Sequence, residues 1–355
     1  MKIVSIIGAR PNFIKSIAVS REIRKEFEEI LIHTGQHYDY EMSDLFFEEL
    51  RIPEPDYHLG IGSGMQGEQV GKMLIAIEAV LLKEEPDLAL VYGDTNSTLG
   101  GALAAAKHNI PVAHVEAGLR SFDRNMPEEI NRVLTDHISN LLFCPTQVTV
   151  DNLAKEGITE GVCLVGDVMA DTLEYNKEIA EKRSKILEEL GLQDKGYLVA
   201  TVHRQSNTDN RENLKNIIGA FCELDCPIVF AAHPRTVKYM KQYGFCKKLS
   251  KNIRLIKPPG YMDMLKLMSH ARKILTDSGG IQKEAYMLKV PCITLRENTE
   301  WVETVRDGWN VLVGPDRARI IKMAREFEPV SKQGDIFGRG AAEKITRCLK
   351  EVKAG

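Results

Sequence analysis

Three carboxylates in the first half of the chain have the side-chain type that proton transfer requires. Asp94 and Glu116 each come just after a short apolar run, whereas Glu128 follows Pro127. Proline favours the first position of a helix, so Glu128 is also explained as a first-turn acid that stabilises the helix dipole by ~0.3–1 kcal/mol. Three acids are enough for a divalent metal, but none of them lies in a His-x-x-x-His or paired-Asp motif. Acid–base catalysis explains them at least as well, and we predict no metal site.

Two cations lie at the start of the first predicted helix, in the segment GARPNFIK (8–15). This segment lacks the G-x-G-x-x-G fingerprint of dinucleotide-binding proteins. Arg10 and Lys15 instead supply a guanidinium that can bind two oxygens and a mobile ammonium, a combination that suits a diphosphate. An explanation as ordinary surface cations is less attractive, because positive charge at a helix start opposes the helix dipole. We therefore predict that Arg10 and Lys15 bind substrate.

The segment TDSGG (276–280) follows a predicted strand and precedes a predicted helix. Unpaired N–H groups make such a helix start an anion site, to which Ser278, Gly279 and Gly280 would contribute. The alternative is that Asp277 or Ser278 only caps the helix. Glu284 is placed to reach a ribose, and it is equally well explained as a solvated helix residue.

Two histidines, His203 and His233, also follow strands directly, and structural and functional explanations have equal weight for each. The other histidines considered are interpreted as hydrogen-bonding or surface residues: His33, His37, His108, His114 and His137.

Short apolar runs that alternate with helical patterns must position these side chains. The predicted strands are 3–7, 30–33, 88–92, 112–115, 141–144, 162–165, 197–202, 227–232, 253–256, 273–276, 292–295 and 311–313. Continuous apolar strands separated by helices indicate an α/β fold of parallel sheets covered on both faces. A break near 166–176 gives two doubly wound, Rossmann-like halves of about six strands each. Ligands bind beyond the carboxyl ends of such strands, so we expect two half-sites that face one cleft.

The composition excludes several classes of protein. With 355 residues, 43% hydrophobic and 27% charged, the chain is neither disordered nor fibrous. A net charge of −3 argues against nucleic acid or a membrane surface as the main partner. Neither a signal peptide nor an apolar run of ~18–20 residues is recognisable, so we expect a cytoplasmic protein, and we expect a homodimer. The seven cysteines contain no Cys-x-x-Cys pair.

Several long motifs resemble the non-hydrolysing UDP-N-acetylglucosamine 2-epimerases. They are GARPNFIK (8–15), HTGQHY (33–38), YGDTNST (92–98), HVEAGLRSFDRNMPEEINR (114–132), His203-Arg204, His233-Pro234, TDSGGIQKEA (276–285) and the stretch 295–303. The resemblance runs in order from residue 1 to about residue 350. It implies the GT-B-type fold of many glycosyltransferases, with one domain at 1–168, a UDP-binding domain at 169–338 and a final helix, 339–355, that packs on the first domain.

The resemblance also implies a reaction without a cofactor. UDP is eliminated across C1–C2 of UDP-N-acetylglucosamine to give a 2-acetamidoglucal, and its re-addition yields UDP-N-acetylmannosamine. Asp94, Glu116 and Glu128 match the acid–base carboxylates of the family. The residues that match its diphosphate and nucleotide sites are Arg10, Lys15, His203, Ser278, Gly279, Gly280 and Glu284. We add Arg132, His233 and Trp301 as substrate-binding residues and count His203 as catalytic.

Some positions depart from the pattern of the bacterial epimerases. Trp301 replaces the usual arginine, Pro259 and Met264 replace residues near the uracil, and Asp39 replaces a basic residue of the activating site near Gln36 and His37. We therefore do not expect activation by substrate. Trp301 and Lys283 resemble a sister group that acts on UDP-2,3-diacetamido-2,3-dideoxyglucuronate, which is an alternative substrate.

Three further functions stay open from the sequence. A UDP-sugar glycosyltransferase would not need three carboxylates at the strand ends of the first domain. A hydrolysing epimerase would release UDP and the free sugar. A regulator that only binds nucleotide sugars has no use for acids that repel a diphosphate.

Overall fold

The computed structural model describes residues 1–36 and 53–354. His37 and Asp39, on which the expectation about activation depends, lie outside the described residues, as does the side chain of Arg10. By its internal contacts the chain divides into two units, Met1–Tyr175 with Phe337–Gly355, and Asn176–Ile336. Among the described helices, none combines the length and the apolar character that crossing a bilayer requires.

The first unit is built on a sheet of seven parallel strands. They are β1 (Lys2–Ile7), β2 (Glu28–His33), β3 (Tyr57–His58), β4 (Leu88–Tyr92), β5 (Val112–Val115), β6 (Leu141–Cys144) and β7 (Val162–Leu164). The helices between them are α1 (Arg10–Ile23), α2 (Gln66–Glu84), α3 (Asn96–Lys107), α4 (Pro127–Ile138) and α5 (Gln147–Lys155). The strand order is β3-β2-β1-β4-β5-β6-β7.

The second unit is built on a sheet of six parallel strands, β8 (Leu198–Thr201), β9 (Ile228–Ala231), β10 (Ile253–Ile256), β11 (Lys273–Thr276), β12 (Cys292–Thr294) and β13 (Asn310–Leu312). Helix α6 (Val168–Arg183) leads into it, and its own helices are α7 (Ile186–Glu189), α8 (Gln205–Thr208), α9 (Arg211–Glu223), α10 (Pro234–Gln242), α11 (Tyr261–Ser269), α12 (Gly279–Met287), α13 (Val302–Arg306) and α14 (Arg317–Glu326). Its strand order is β10-β9-β8-β11-β12-β13.

Each unit has its own apolar core. In the first unit Val4, Ile6 and Val91 from the central strands pack with Met73 and Ile77 of α2. In the second unit Leu198, Phe230 and Leu275 from the strands pack with Ile217 and Phe221 of α9. Burial of these aliphatic and aromatic side chains holds each sheet against its helices. The predicted α/β class with parallel sheets is confirmed.

The chain returns to the first unit at its end. Helix α15 (Ala341–Ala354) packs against α1, and its buried residues include Ala341, Ile345 and Leu349. An ion pair of 2.9 Å between Lys350 and Glu26 lies at the edge of this contact.

Candidate active site

In both sheets the strand order reverses direction at one place, and such a switch point is where open α/β sheets bind ligands. In the first sheet it falls between β1 and β4, and in the second between β8 and β11. Arg10 and Lys15 follow β1, and Asp94 follows β4. The predicted residues of the first unit thus lie at or beside its switch point.

Lys15 and Glu116 form a buried ion pair in the first unit, with Nζ of the lysine donating to Oε2 of the glutamate. They come from α1 and from the end of β5, on either side of Gly93. A Cβ at Gly93 would lie 2.7 Å from Nζ of Lys15 and 3.3 Å from Oε2 of Glu116. Gly93 also has a φ of 65°, a left-handed conformation that glycine adopts without strain. The backbone at Gly93 is therefore packed directly against the ion pair of Lys15 and Glu116.

Asp94 pairs with a second buried cation, Arg132 of α4. The side chain of Asp94 is 23% exposed and that of Arg132 only 3% exposed, so the carboxylate has access to solvent while the guanidinium stays behind it. Arg132 also donates to Glu129 at 3.0 Å. Arg132, predicted to bind substrate, therefore lies behind Asp94 in this structure.

Helix α4 begins at Pro127, as predicted, and places Glu128 half-buried in its first turn. The neighbouring Glu129 is buried and accepts the backbone N–H groups of Ser121 and Phe122, each at 2.9 Å. The two adjacent acids therefore differ in environment: Glu129 holds the loop before the helix, and Glu128 is the more accessible of the two.

Asn12 and Asn131 were missed by the sequence reasoning. Asn12 joins the two strand ends of the switch point, because its Nδ2 donates to Tyr92 O at 2.6 Å and its Oδ1 accepts Ala9 N–H at 3.1 Å. Asn131 donates to Asp94 O at 3.0 Å. Their position next to predicted site residues was the one available signal, since an isolated asparagine has no distinctive spacing.

His203 follows β8 in the second unit, and the buried carboxylate of Asp277 at the end of β11 holds it in place. Asp277 accepts the backbone N–H groups of His203 and Arg204 and the side-chain amide of Asn207, each at 3.0 Å, and lies 3.1 Å from Nδ1 of His203. Burial raises the pKa of Asp277, but the charge and hydrogen bonds of His203 and Asn207 outweigh burial and keep this pKa below its usual value. Asp277 thus links the two strands of this switch point.

The start of α12 leaves room for an anion. Ser278 caps the helix by accepting Ile281 N–H at 3.4 Å, so the predicted capping role is present. A Cβ on Gly280 would meet nothing closer than 3.9 Å, and one on Gly279 would lie 3.4 Å from Glu300. Arg296 binds Glu300 at 2.9 Å and Arg204 lies 3.7 Å from it. The helix dipole favours negative charge there, while both guanidinium groups lie against Glu300.

The remaining predicted residues of this unit have structural contacts of their own. His233 caps α10, since its Nδ1 accepts Arg235 N–H at 3.2 Å, and its ring lies 6.3 Å from that of His203. Trp301 is buried, and Nζ of Lys283 lies 4.5 Å from the centroid of its indole. Glu284 is buried within α12. Among the described residues, no cluster of three His, Cys, Asp or Glu side chains could hold a metal ion.

Comparison with known proteins gives the family. A family profile described as UDP-N-acetylglucosamine 2-epimerase matches residues 21–350. A UDP-N-acetylglucosamine 2-epimerase of Methanocaldococcus jannaschii is 50% identical, over 98% of this chain and 99% of that protein. A UDP-2,3-diacetamido-2,3-dideoxy-D-glucuronate 2-epimerase of Pseudomonas aeruginosa is 47% identical, over 99% of this chain and 100% of that protein.

A solved structure agrees with these matches. The crystal structure of the M. jannaschii enzyme in complex with UDP-GlcNAc and UDP has a TM-score of 0.93 and 49% identity, over 99% of this chain and 100% of that one. This likeness confirms the predicted class of two Rossmann-like domains of the GT-B type. The chain belongs to the non-hydrolysing UDP-N-acetylglucosamine 2-epimerase family.

Proposed function

We propose that this protein is an isomerase that inverts C2 of UDP-N-acetylglucosamine to give UDP-N-acetylmannosamine. The observation that carries the proposal is the arrangement of acids at the strand ends of the first unit, where Asp94 and Glu116 each pair with a cation from another element. Membership of the family and 50% identity to the M. jannaschii enzyme support the same reaction.

The C2 hydrogen lies next to no carbonyl, so it is not removed by simple enolisation. A base takes the proton from C2 while the C1–O bond breaks and its electron pair leaves with UDP. The resulting 2-acetamidoglucal then receives a proton on the opposite face of C2, and a phosphate oxygen of UDP re-forms the bond to C1. We assign Glu116 and Glu128 to the two faces, with Asp94 assisting, because general acid–base catalysis needs a carboxyl group within reach on each side.

Cations must stabilise the departing diphosphate. We assign this role to Arg10, Lys15 and His203, and the nucleotide to Ser278, Gly279, Gly280 and Glu284. The room for an anion at the start of α12 supports the second assignment. In the structure Lys15 is paired with Glu116. A bound diphosphate would compete with Glu116 for Lys15. Its binding would weaken the ion pair that holds Glu116, one of the two proposed acid–base groups.

Turnover in deuterium oxide tests the proposal. If C2–H breaks and exchangeable acids return the proton, the product must carry deuterium at C2, as read by mass spectrometry and NMR. Replacing Asp94, Glu116 or Glu128 by the matching amide is expected to lower turnover by ~10²–10⁴-fold. A wild-type product that still carries protium at C2 would contradict the mechanism and favour a transferase, whereas the absence of any product would favour a binding protein.

A second substrate is supported by a specific observation. The P. aeruginosa relative, 47% identical, is named for a diacetamido-glucuronate. Trp301 and Lys283, which resemble that group in sequence, lie 4.5 Å apart from indole centroid to Nζ. Supplying both UDP-sugars at equal concentration and comparing their kcat/KM values by product mass spectrometry decides between them. A higher kcat/KM for the uronate would identify it as the substrate. The proposed inversion at C2 would be unchanged.

A further inference from the structure

His114 of β5 is completely buried and lies between two acceptor groups. Its Nε2 is 2.7 Å from the carbonyl oxygen of Gly93, and its Nδ1 is 2.7 Å from Oδ1 of Asp136. A neutral imidazole has one donor and one acceptor, whereas an imidazolium has two donors. The charge of this ring therefore depends on which of the two partners can donate.

Neither partner is a donor. A backbone carbonyl oxygen only accepts, so Nε2 must carry a hydrogen. The other oxygen of Asp136 accepts Gly118 N–H at 3.0 Å and Nη1–H of Arg120 at 2.7 Å, as an ionised carboxylate does. The ion pair between Asp136 and the buried guanidinium of Arg120 favours the ionised form of this carboxylate. Nδ1 must then carry a hydrogen as well.

The charged groups around the ring are consistent with a cation. Asp136 of α4 faces it directly, and Arg120 on the far side of Asp136 binds Glu156, which follows α5, at 2.7 Å. Beyond Gly93 lies the ion pair of Lys15 and Glu116. Burial raises the pKa of the Cys144 thiol on β6 to about 12, so this thiol stays neutral. Each charge near His114 thus has an opposite charge beside it.

The ring connects the three elements that carry the proposed acids. Gly93, which accepts from Nε2, directly precedes Asp94. Glu116 is two residues beyond His114, directly after the end of β5. Asp136 belongs to α4, about two turns along the helix from Glu128.

We propose that His114, held as an imidazolium, is a positioning residue that fixes Asp94, Glu116 and Glu128 relative to one another. This inference rests on the proposed function, because it concerns the acids of that reaction. His114 touches no substrate in this scheme. It acts by two hydrogen bonds made inside the protein, and a displacement of about 1 Å of a catalytic group can cost ~10²-fold in rate.

The charge state is tested first on the full-length wild-type protein, labelled with ¹⁵N-histidine. The His114 signals are assigned by their loss in His114→Gln. We expect both ring nitrogens of His114 to carry hydrogens under the conditions of the kinetic assay, because both of its partners accept. A neutral ring with a single N–H under those conditions would overturn the proposal. This measurement is made on the wild-type protein and does not depend on its activity. A variant is needed only to assign the signals, and His114→Asn can serve if His114→Gln does not fold.

The positioning role is tested by kinetics with His114→Gln, His114→Asn and Asp136→Asn. Each variant keeps a polar side chain at the substituted position. We expect kcat to fall by ~10²-fold while KM and UDP affinity change little. The control is His108→Gln, which breaks a surface pair with Glu78 at 2.7 Å and should retain full turnover. Folded variants with wild-type kcat, or an equal loss of UDP affinity, would refute the positioning role.

The two proposals fail in different ways. If the wild-type protein turns over neither UDP-sugar, the proposed function is wrong, and the ¹⁵N spectrum still decides whether His114 is an imidazolium. If the wild-type protein is active and the variants match it, only the role of His114 is wrong.

Discussion

Asp277 has no part in the proposed proton transfers, yet it organises the strand ends to which we assign nucleotide binding. One buried carboxylate receives N–H groups from His203, Arg204 and Asn207. An amide at this position would offer one acceptor and would present its own N–H groups to these donors. The position of His203 therefore depends on the charge of a neighbour that substrate need not touch.

Asp277→Asn should lower the free energy of unfolding by about 1–3 kcal/mol, the cost of leaving buried donors unsatisfied. Urea unfolding measures this loss, and calorimetric titration should show weaker UDP binding. The matched control is Asp209→Asn at an exposed pair with Arg235, where a loss below about 1 kcal/mol is expected. Equal losses at both positions would contradict the role of Asp277.

The same substitution has a pH signature. The pKa of Asp277 is lowered in the folded protein, so its stabilisation is present above the unfolded pKa of about 3.9 and is lost as pH falls through the folded pKa. The wild-type protein should lose stability below about pH 4, and Asp277→Asn should lose less over that range. An unchanged acid dependence in the variant would show that other carboxylates dominate.

The strands were largely predictable because they are buried on both faces. Continuous apolar runs gave all twelve predicted strands, with ends that differ by at most two residues from those observed. β3, Tyr57–His58, was missed because a two-residue strand at the sheet edge has no apolar run. Burial leaves a pattern in sequence, whereas an edge pairing of two residues leaves none.

Partners across elements were not predictable. Arg10, Lys15, Asp94 and Glu116 were selected by their positions after strands. The pairing of Lys15 with Glu116 joins residues 101 positions apart and depends on the strand order, which sequence alone did not supply. His114 was interpreted as a hydrogen-bonding or surface residue. A polar residue inside the strand VAHV was the available signal that a buried partner exists.

A substitution at the start of α12 distinguishes an effect on UDP binding from an effect on the stability of the fold. A Cβ on Gly280 meets nothing closer than 3.9 Å, so Gly280→Ala should leave stability unchanged or raise it by about 0.4–1 kcal/mol. If the diphosphate lies against this backbone, UDP affinity should nevertheless fall. Isothermal titration and thermal unfolding measure the two effects.

Gly71→Ala is the matched control, because Gly71 lies in α2 with nothing within 4 Å of its added Cβ. It should show the same effect on stability and no effect on UDP affinity. Unchanged UDP affinity in Gly280→Ala would remove the start of α12 from the nucleotide site.

The complete fold of the first unit depends on the last helix of the chain. Ile345 and Leu349 of α15 are fully buried, and α15 packs against α1, more than 300 residues earlier. Ile345→Ala should therefore lower the free energy of unfolding by about 2–5 kcal/mol. Chemical denaturation followed by hydrogen exchange should place the loss in Met1–Tyr175 and in α15 rather than in Asn176–Ile336.

Val330→Ala is the control for this substitution, since Val330 is 99% exposed and its truncation should change stability by less than about 0.5 kcal/mol. A loss of protection spread equally over both units after Ile345→Ala would mean that they unfold as one cooperative body.

The return of the chain to the first unit has a mechanical consequence. The first and last described residues both belong to that unit, and residues 176–336 are inserted between its two segments. A force applied to the two chain ends in an optical trap is carried by the first unit alone, through β1 and α15. The inserted unit experiences no tension until α15 has been pulled away. Extension should therefore occur in an obligatory order, with the inserted unit still folded after the first rupture.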